Sequence, residues 1–421
     1  MHQALRCAGR ATERRANGAR LSTISFSRAA GLAQLPPLSV YVHLPWCIRK
    51  CPYCDFNSHE TPVGGADEAG YLDALEADLD ASLPLVWGRP VQTIFIGGGT
   101  PSLFSPQGID RLLAALRARL RVAPDAEITM EANPGTFERE RFEGFRSAGV
   151  NRLSLGVQSF DDASLAAIGR VHDAAQARDA AQAAGEIFPT FNLDLMYALP
   201  GQTLTQLGQD LAQALRFQSP HLSLYHLTLE PNTLFARFPP VVPDEDQAAA
   251  MQEAVEEQLA AAGFDHYEVS AYAKPGHQSR HNVNYWTFGD YLGIGAGAHG
   301  KLSFHDRIMR YVRYRHPQRY VEAAMAGHAI EVEKAVPRED LPFEFMLNAL
   351  RLTAGVPASL FQENTGLSVA EIAGALARAA KKGLVTTDPA RLAATPLGLR
   401  FLNDLQAEFL PASAPVSFAR K

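Results

Sequence analysis

The sequence predicts an α/β protein: a partial, six-unit parallel (β/α)6 barrel followed by a C-terminal helical, winged-helix-like domain. Two patterns carry this expectation. From Leu38 onward, short apolar runs alternate with amphipathic helical stretches, the signature of parallel βα units. After Gly300 that alternation stops, and near Val336 a separate segment of helical period begins.

The expected strands are Ser39–His43, Thr93–Ile96, Ile128–Glu131, Arg152–Val157, Phe191–Leu195 and Leu222–Leu227, each rich in Val, Ile, Leu or Phe. Between them lie helices such as Tyr71–Leu83, with Leu72, Leu75, Leu79 and Leu83 on one face, and Ile109–Leu120, with Leu112, Leu113, Leu116 and Leu120. Further strand material around Tyr267–Tyr272 suits an open-sided barrel better than a closed eightfold one. Parallel barrels place chemistry at the C-terminal ends of their strands, so the residues just after each strand are the candidates for function.

Beyond the barrel, Phe343–Leu352 and Val369–Lys382 read as helices, and Leu384–Thr387 with Leu392–Thr395 as a small hairpin. Winged-helix modules often bind DNA. Here Val369–Ala380 is mainly Ala, Ile and Leu and lacks a basic stripe, which favours packing or covering a substrate. The organisation expected is a leader or disordered extension over 1–35, a barrel core over 36–300, a connecting segment over 301–335 and a C-terminal domain over 336–421.

Composition narrows the function classes. With 421 residues and 47% hydrophobic content the chain can bury a full core, and a formal net charge of −6 gives no basic field for nucleic acid or anionic membranes. No stretch approaches the roughly 18 apolar residues of a spanning helix, so an integral membrane protein is not expected. In the first thirty or so residues, Arg6, Arg10, Arg14, Arg15, Arg20 and Arg28 lie among Ala, Ser and Thr, with Glu13 the only acid. That is transit-peptide composition, and it leaves two locations open: cytoplasmic, with a bacterial tail or a start codon placed too far upstream, or mitochondrial, if the segment is a targeting peptide.

Four cysteines do not make a disulfide scaffold. Cys47, Cys51 and Cys54 fall within eight residues at C-x3-C-x2-C spacing, directly after the first strand, while Cys7 lies in the leader. Three thiolates can hold three irons of a [4Fe–4S] cluster and leave the fourth open to a ligand. A zinc site using the same cysteines with His43 or His59 is the competing reading. After the second strand, Gly97-Gly98-Gly99-Thr100-Pro101-Ser102 lets the backbone pass close to a ligand and expose its N–H and C=O groups; a tight turn explains it equally. Strand three ends in Glu131 before Asn133-Pro134-Gly135-Thr136, strand four runs into Gly156-Val157-Gln158-Ser159-Phe160, and Asp194 interrupts strand five. A carboxylate within an apolar strand is costly unless paired. It marks either a ligand contact or a satisfied buried group.

C-x3-C-x2-C after the first strand of a βα barrel resembles the radical S-adenosylmethionine (SAM) superfamily. There the open iron chelates the amino and carboxylate groups of SAM, and an electron from the cluster cleaves it to a 5′-deoxyadenosyl radical. From about Leu38 to Gly300 these strings are similar to the oxygen-independent coproporphyrinogen III oxidases and their HemW-type heme-chaperone relatives. The terminal segment resembles the HemN-like C-terminal domain of the same family. The resemblance implies a cluster on Cys47, Cys51 and Cys54, and SAM contacts at Tyr41, Gly98, Gly99, Thr100, Glu131, Gln158, Arg170 and Asp194, with Tyr53 at an aromatic SAM-packing position. An electron donor is then a partner.

Two positions separate oxidase from chaperone. The oxidases carry a further cysteine two places after the third ligand, where this chain has Phe56. His281-Asn282-Val283-Asn284-Tyr285-Trp286 resembles the HNxxY heme-binding motif of the chaperone branch, which makes His281 the candidate iron contact, with a loop-capping role or His299 as alternatives. The implied function is a chaperone that binds heme and passes it to acceptor hemoproteins such as respiratory enzymes. A decarboxylating oxidase and a zinc-binding regulator with a DNA module are the alternatives.

Overall fold

The computed structural model describes residues 31–135 and 138–411; Cys7, the arginine-rich leader through residue 30 and Thr136 lie outside them. Twelve strands form one sheet: β1 Leu38–Leu44, β2 Pro90–Gly98, β3 Arg121–Ala132, β4 Arg152–Gln158, β5 Thr190–Tyr197, β6 His221–His226, β7 Asp265–Glu268, β8 Ala271–Ala273, β9 Asp290–Ile294, β10 His299–Ser303, β11 Ile308–Arg313 and β12 Ile330–Ala335. Their spatial order is β12-β11-β10-β9-β1-β2-β3-β4-β5-β6-β8-β7. The six strands expected from sequence are β1 to β6, all parallel, and β9 adds a seventh beside β1. The two edges do not pair with each other, so the barrel is open-sided.

The helices form where the apolar period is 3.6 and a capping residue precedes it. Asp173, Thr203 and Asp244 each accept from the third backbone N–H of the helix they start, and Gln176, Gln206 and Gln247 return a bond to the cap, closing three capping boxes. Helix α1, Glu68–Val86, buries Leu72, Leu75 and Leu79 against the sheet, and α2, Pro106–Arg119, buries Leu112, Leu113 and Leu116. Among the described residues no helix is long and apolar enough to cross a membrane.

Residues 301–335, where the sequence predicts a connector, supply β11, β12 and most of β10, which extend the sheet antiparallel from β9. The parallel βα alternation stops there because the strands pair antiparallel, through short turns from β9 to β11 and through the helix Pro317–Met325 from β11 to β12. This extension is fastened to α1 by a buried ion pair: Arg313 lies 3.2 Å from Asp78, which also accepts from Tyr320 Oη at 3.0 Å. A second buried pair, Lys301 to Asp290 at 2.9 Å, ties β10 to β9.

The C-terminal region is helical, and its apolar core around Phe345, Phe361 and Leu405 is continuous with Tyr267, Phe288 and Ile308 of the preceding domain. Two details differ from the sequence reading. The stretch Val369–Lys382 begins as a 3-10 turn over Val369–Ile372 and becomes α-helical only over Ala373–Lys381. The expected hairpin is reduced to one bridge, Val385 with Ala394, because Arg391–Leu392 pairs with Val356–Pro357 instead.

Candidate functional site: a thiol loop over a deep barrel cavity

The chain leaves β1 into the cysteine loop at its C-terminal end. Trp46–Cys47 pairs in parallel with His59–Glu60, and Asn57 pins the loop to the barrel rim by donating from Nδ2 to the carbonyls of Ala296 and Arg315, both at 2.9 Å. Cys47, Cys51 and Cys54 are free, half-buried thiols facing a cavity of about 530 Å³ that occupies the barrel interior, well within the range of small-ligand and cofactor sites. Ile48, Phe56, Val171 and Tyr225 line its mouth as exposed apolar groups; Phe56 is 63% exposed.

The histidines that a zinc site would need are already committed. His43 is buried with Nδ1 bonded to Tyr41 Oη at 2.9 Å and Nε2 bonded to the carbonyl of Asn57 at 2.9 Å. His59 Nε2 meets Asn57 Oδ1 at 3.3 Å. Among the described residues no three His, Cys, Asp or Glu side chains stand close enough to share one metal ion. Three thiols without a fourth donor, spread around a loop, fit a cluster whose irons take one thiolate each and leave one iron open.

Below the thiols, strand-end residues form a connected polar wall. Gly98 has φ 124°, a conformation that favours glycine, and a Cβ there would stand 2.8 Å from the His43 ring; at Gly99 a Cβ would stand 2.5 Å from the Trp46 carbonyl. The Gly98 N–H donates to Glu131 Oε2 at 3.0 Å. Burial, reinforced by the Asp194 charge, pushes the Glu131 carboxyl up to about 8 against the pull of that bond. Asp194, likewise raised by burial, accepts from Asn192 Nδ2 at 2.8 Å and Ser154 Oγ at 3.1 Å. Thr100, Asn133 and Arg170 form a chain: Asn133 Nδ2 donates to Thr100 Oγ1 at 2.9 Å, and Arg170 Nη2 donates to Asn133 Oδ1 and the Gly156 carbonyl, each at 2.7 Å. Arg170 Nη1 also reaches Cys51 Sγ at 3.8 Å, which links this wall to the thiol loop. Gln158 sits at φ 68°, a strained value for a non-glycine residue, where β4 ends at the cavity.

Of the residues proposed from sequence, Tyr53, Gly98, Gly99, Thr100, Glu131, Gln158, Arg170, Asp194 and the three cysteines line this one cavity. Tyr41 and His281 are not on its wall. Tyr41 stands behind it, ring-stacked on Phe95 at 6.2 Å. His281 lies on the helix Arg280–Trp286 at the opposite end of the barrel, 2% exposed, with its ring 5.0 Å from both Phe95 and Tyr285. The Thr93 hydroxyl donates to Ser39, so His281 Nδ1–H donates to Thr93 Oγ1, at 2.8 Å, and Nε2 keeps a bare lone pair with no partner. Burial, with the Arg152 charge, pulls this imidazole down to about 3 and keeps it neutral. In this conformation no macrocycle reaches it.

Sequence reasoning missed Arg152, Ser154, Asn192, His221, Ser223 and Asn282, which also line the cavity. The signal was available: 152, 154, 156 and 158 on β4, 192 and 194 on β5, and 221, 223 and 225 on β6 alternate with apolar residues at the strand period of two.

A parallel barrel with three thiols at the C-terminal strand ends defines the class. The sequence profile of the Radical SAM superfamily matches residues 41–214, and that of the HemN C-terminal domain matches residues 336–401. The solved coproporphyrinogen III oxidase (HemN) of Escherichia coli, a radical SAM enzyme, is similar in fold with a TM-score of 0.76 and 26% identity, covering 90% of this chain and 92% of that one. The heme chaperone HemW of Escherichia coli is 49% identical over 90% of this chain and 100% of its own length. The HemW of Haemophilus influenzae is 45% identical over 90% and 99% of the two chains, and that of Bacillus subtilis 36% over 88% and 99%. This chain belongs to the HemW heme chaperone family.

Proposed function

We propose that the protein binds heme and delivers it to acceptor hemoproteins, with a [4Fe–4S] cluster on Cys47, Cys51 and Cys54 and SAM in the cavity beneath it. The observation that carries this reading over the oxidase is Phe56. The cysteine that distinguishes oxidases is replaced by a phenylalanine that stands exposed at the cavity mouth beside Ile48 and Val171, an apolar rim suited to a porphyrin face. When bound, SAM and the cluster would supply reductive radical chemistry. The chain's part is to exclude water, to present the glycine backbone at Gly98 and Gly99, and to offer the Glu131 and Asp194 carboxylates to a cationic ligand. His281, with its free Nε2, is the proposed iron contact, and its burial means that the Phe95 ring, which packs on it and lines the cavity, must move aside before heme can ligate. A reducing, cytoplasmic compartment suits the three free thiols.

The test is paired. Anaerobically purified protein should show a heme absorption spectrum that His281→Ala perturbs, and it should transfer heme to an apo-hemoprotein. Given SAM and a reductant, it should release no carbon dioxide from coproporphyrinogen III. Robust decarboxylation would establish the oxidase instead.

A further inference from the structure

The cavity is longer than the site at its mouth. Along β4 its lining runs from Gln158, at the strand end near the thiols, down to Arg152; six residues at roughly 3.3 Å each span about 20 Å. The far end is closed by the helix Arg280–Trp286, whose first two backbone N–H groups donate to Glu127, at 3.1 and 3.0 Å.

At that closed end three buried polar atoms have no partner: Thr129 Oγ1, Arg152 Nη2 and His281 Nε2. They belong to one neighbourhood. Phe95, Thr129 and Arg152 are in register across β2, β3 and β4, His281 packs on Phe95, and the Arg152 charge bears on the His281 ring. Arg152 is 3% exposed, lines the cavity, and forms no ion pair with a carboxylate among the described residues. The nearby Asp194 is bonded to Ser154 and Asn192 instead. His221, the other imidazole at this end, is fully used: Nδ1 bonds Asn192 at 2.7 Å and Nε2 bonds Tyr267 Oη at 2.8 Å.

A buried guanidinium that bonds no anion directly, with the Asp194 charge acting on it only through space, is costly and persists where function demands it. Its planar fork matches a carboxylate. Asn282, next to His281 in sequence, also lines the cavity and adds an amide. The depth separates this point from the thiol end, so a SAM carboxylate held at an open iron there would not reach it. We infer that Arg152 and Asn282 form a carboxylate subsite at the closed end of the cavity, occupied by a propionate of the bound heme. This rests on the heme-binding reading above. It also places the propionate at the same end of the cavity as the proposed iron contact, with Phe95 as apolar wall.

The experiment uses the anaerobic, cluster-loaded protein titrated with ferric protoporphyrin IX and, separately, with its dimethyl ester, in wild type, Arg152→Gln and Arg152→Lys, with SAM binding measured in each. Removing one partner of a buried charge pair predicts heme binding weaker by roughly 30-fold or more in Arg152→Gln. Arg152→Lys should recover part of it. The diester should bind wild type no better than the diacid binds Arg152→Gln, and SAM affinity should hold throughout. Equal binding of diacid and diester by wild type, or undiminished heme affinity in Arg152→Gln, overturns the subsite and leaves the heme reading standing. Loss of SAM affinity in Arg152→Gln overturns it too, because the guanidinium then supports the barrel and not a ligand. A wild type that binds no heme at all refutes the underlying reading and the subsite with it.

Discussion

Glu131 offers a measurable coupling between proton and ligand. Its carboxyl, raised to about 8 by burial and by Asp194, is mostly protonated at pH 7. A cationic sulfonium ligand in the same cavity favours the ionised form, so binding must first remove the proton. The sign follows: below about pH 8 the affinity for SAM rises with pH, and above it the affinity levels off. The magnitude follows from the distance between pH 7 and the raised value, about one unit, which is about 1.4 kcal/mol or tenfold in affinity. Glu131→Gln keeps an acceptor for the Gly98 N–H and removes the proton. Anaerobic calorimetric titrations of SAM from pH 6.5 to 8.5, in buffers of different ionisation enthalpy, should show release of nearly one proton at pH 7 by the wild type and a steep rise in affinity. The variant should bind more weakly, with that component of the pH dependence gone. A wild-type profile parallel to that of Glu131→Gln would refute the assignment of this carboxylate to the ligand.

Three further outcomes follow from the same geometry. Cys47→Ser, Cys51→Ser or Cys54→Ser should abolish the iron–sulfur chromophore while Cys7→Ser leaves it intact, read by absorbance after anaerobic reconstitution; a requirement for Cys7 would contradict a three-thiolate site. Gly98→Ala forces a side chain into a φ of 124° and against the His43 ring, so SAM affinity should fall about tenfold or more, in line with the 1–3 kcal/mol cost of such strain, while the chromophore is retained. Arg313→Met strands the buried Asp78 carboxylate and should destabilise the protein by about 3–5 kcal/mol, seen as a lower denaturation midpoint; an unchanged midpoint would mean that the pair does not fasten β11 to α1.

Six of the seven parallel strands, β1 to β6 but not β9, were legible because each is an apolar run bounded by helix caps, and the cysteine spacing and the glycine run are local strings that survive without tertiary context. Glu131 and Asp194 stood out as acids in apolar strands. Arg152, Asn192 and His221 did not, because each sits at or near the start of a strand, where polar residues are ordinary, and only the register of neighbouring strands brings them to one point. The β10 to β12 extension escaped notice for a related reason. Its outer strand, Ile330–Ala335, has five exposed residues, and its apolar alternation is limited to Ile330 and Val332. The position of His281 was unreadable for a different reason: a motif specifies residue types, whereas burial depends on what Phe95 and Thr93, some 190 residues away, pack against it.

The closed end of the barrel has a kinetic consequence. Glu127 holds the first turn of the helix Arg280–Trp286 across the floor, so anything seated at Arg152 has to pass the thiol loop unless that helix swings away. Traffic through a single doorway is compulsory-order. The deeper occupant loads first and leaves last, and whatever fills the doorway acts as a stopper on it. Heme off-rates measured with and without saturating SAM would then differ, and Glu127→Gln, which loosens the floor, would bring them together by opening a back exit.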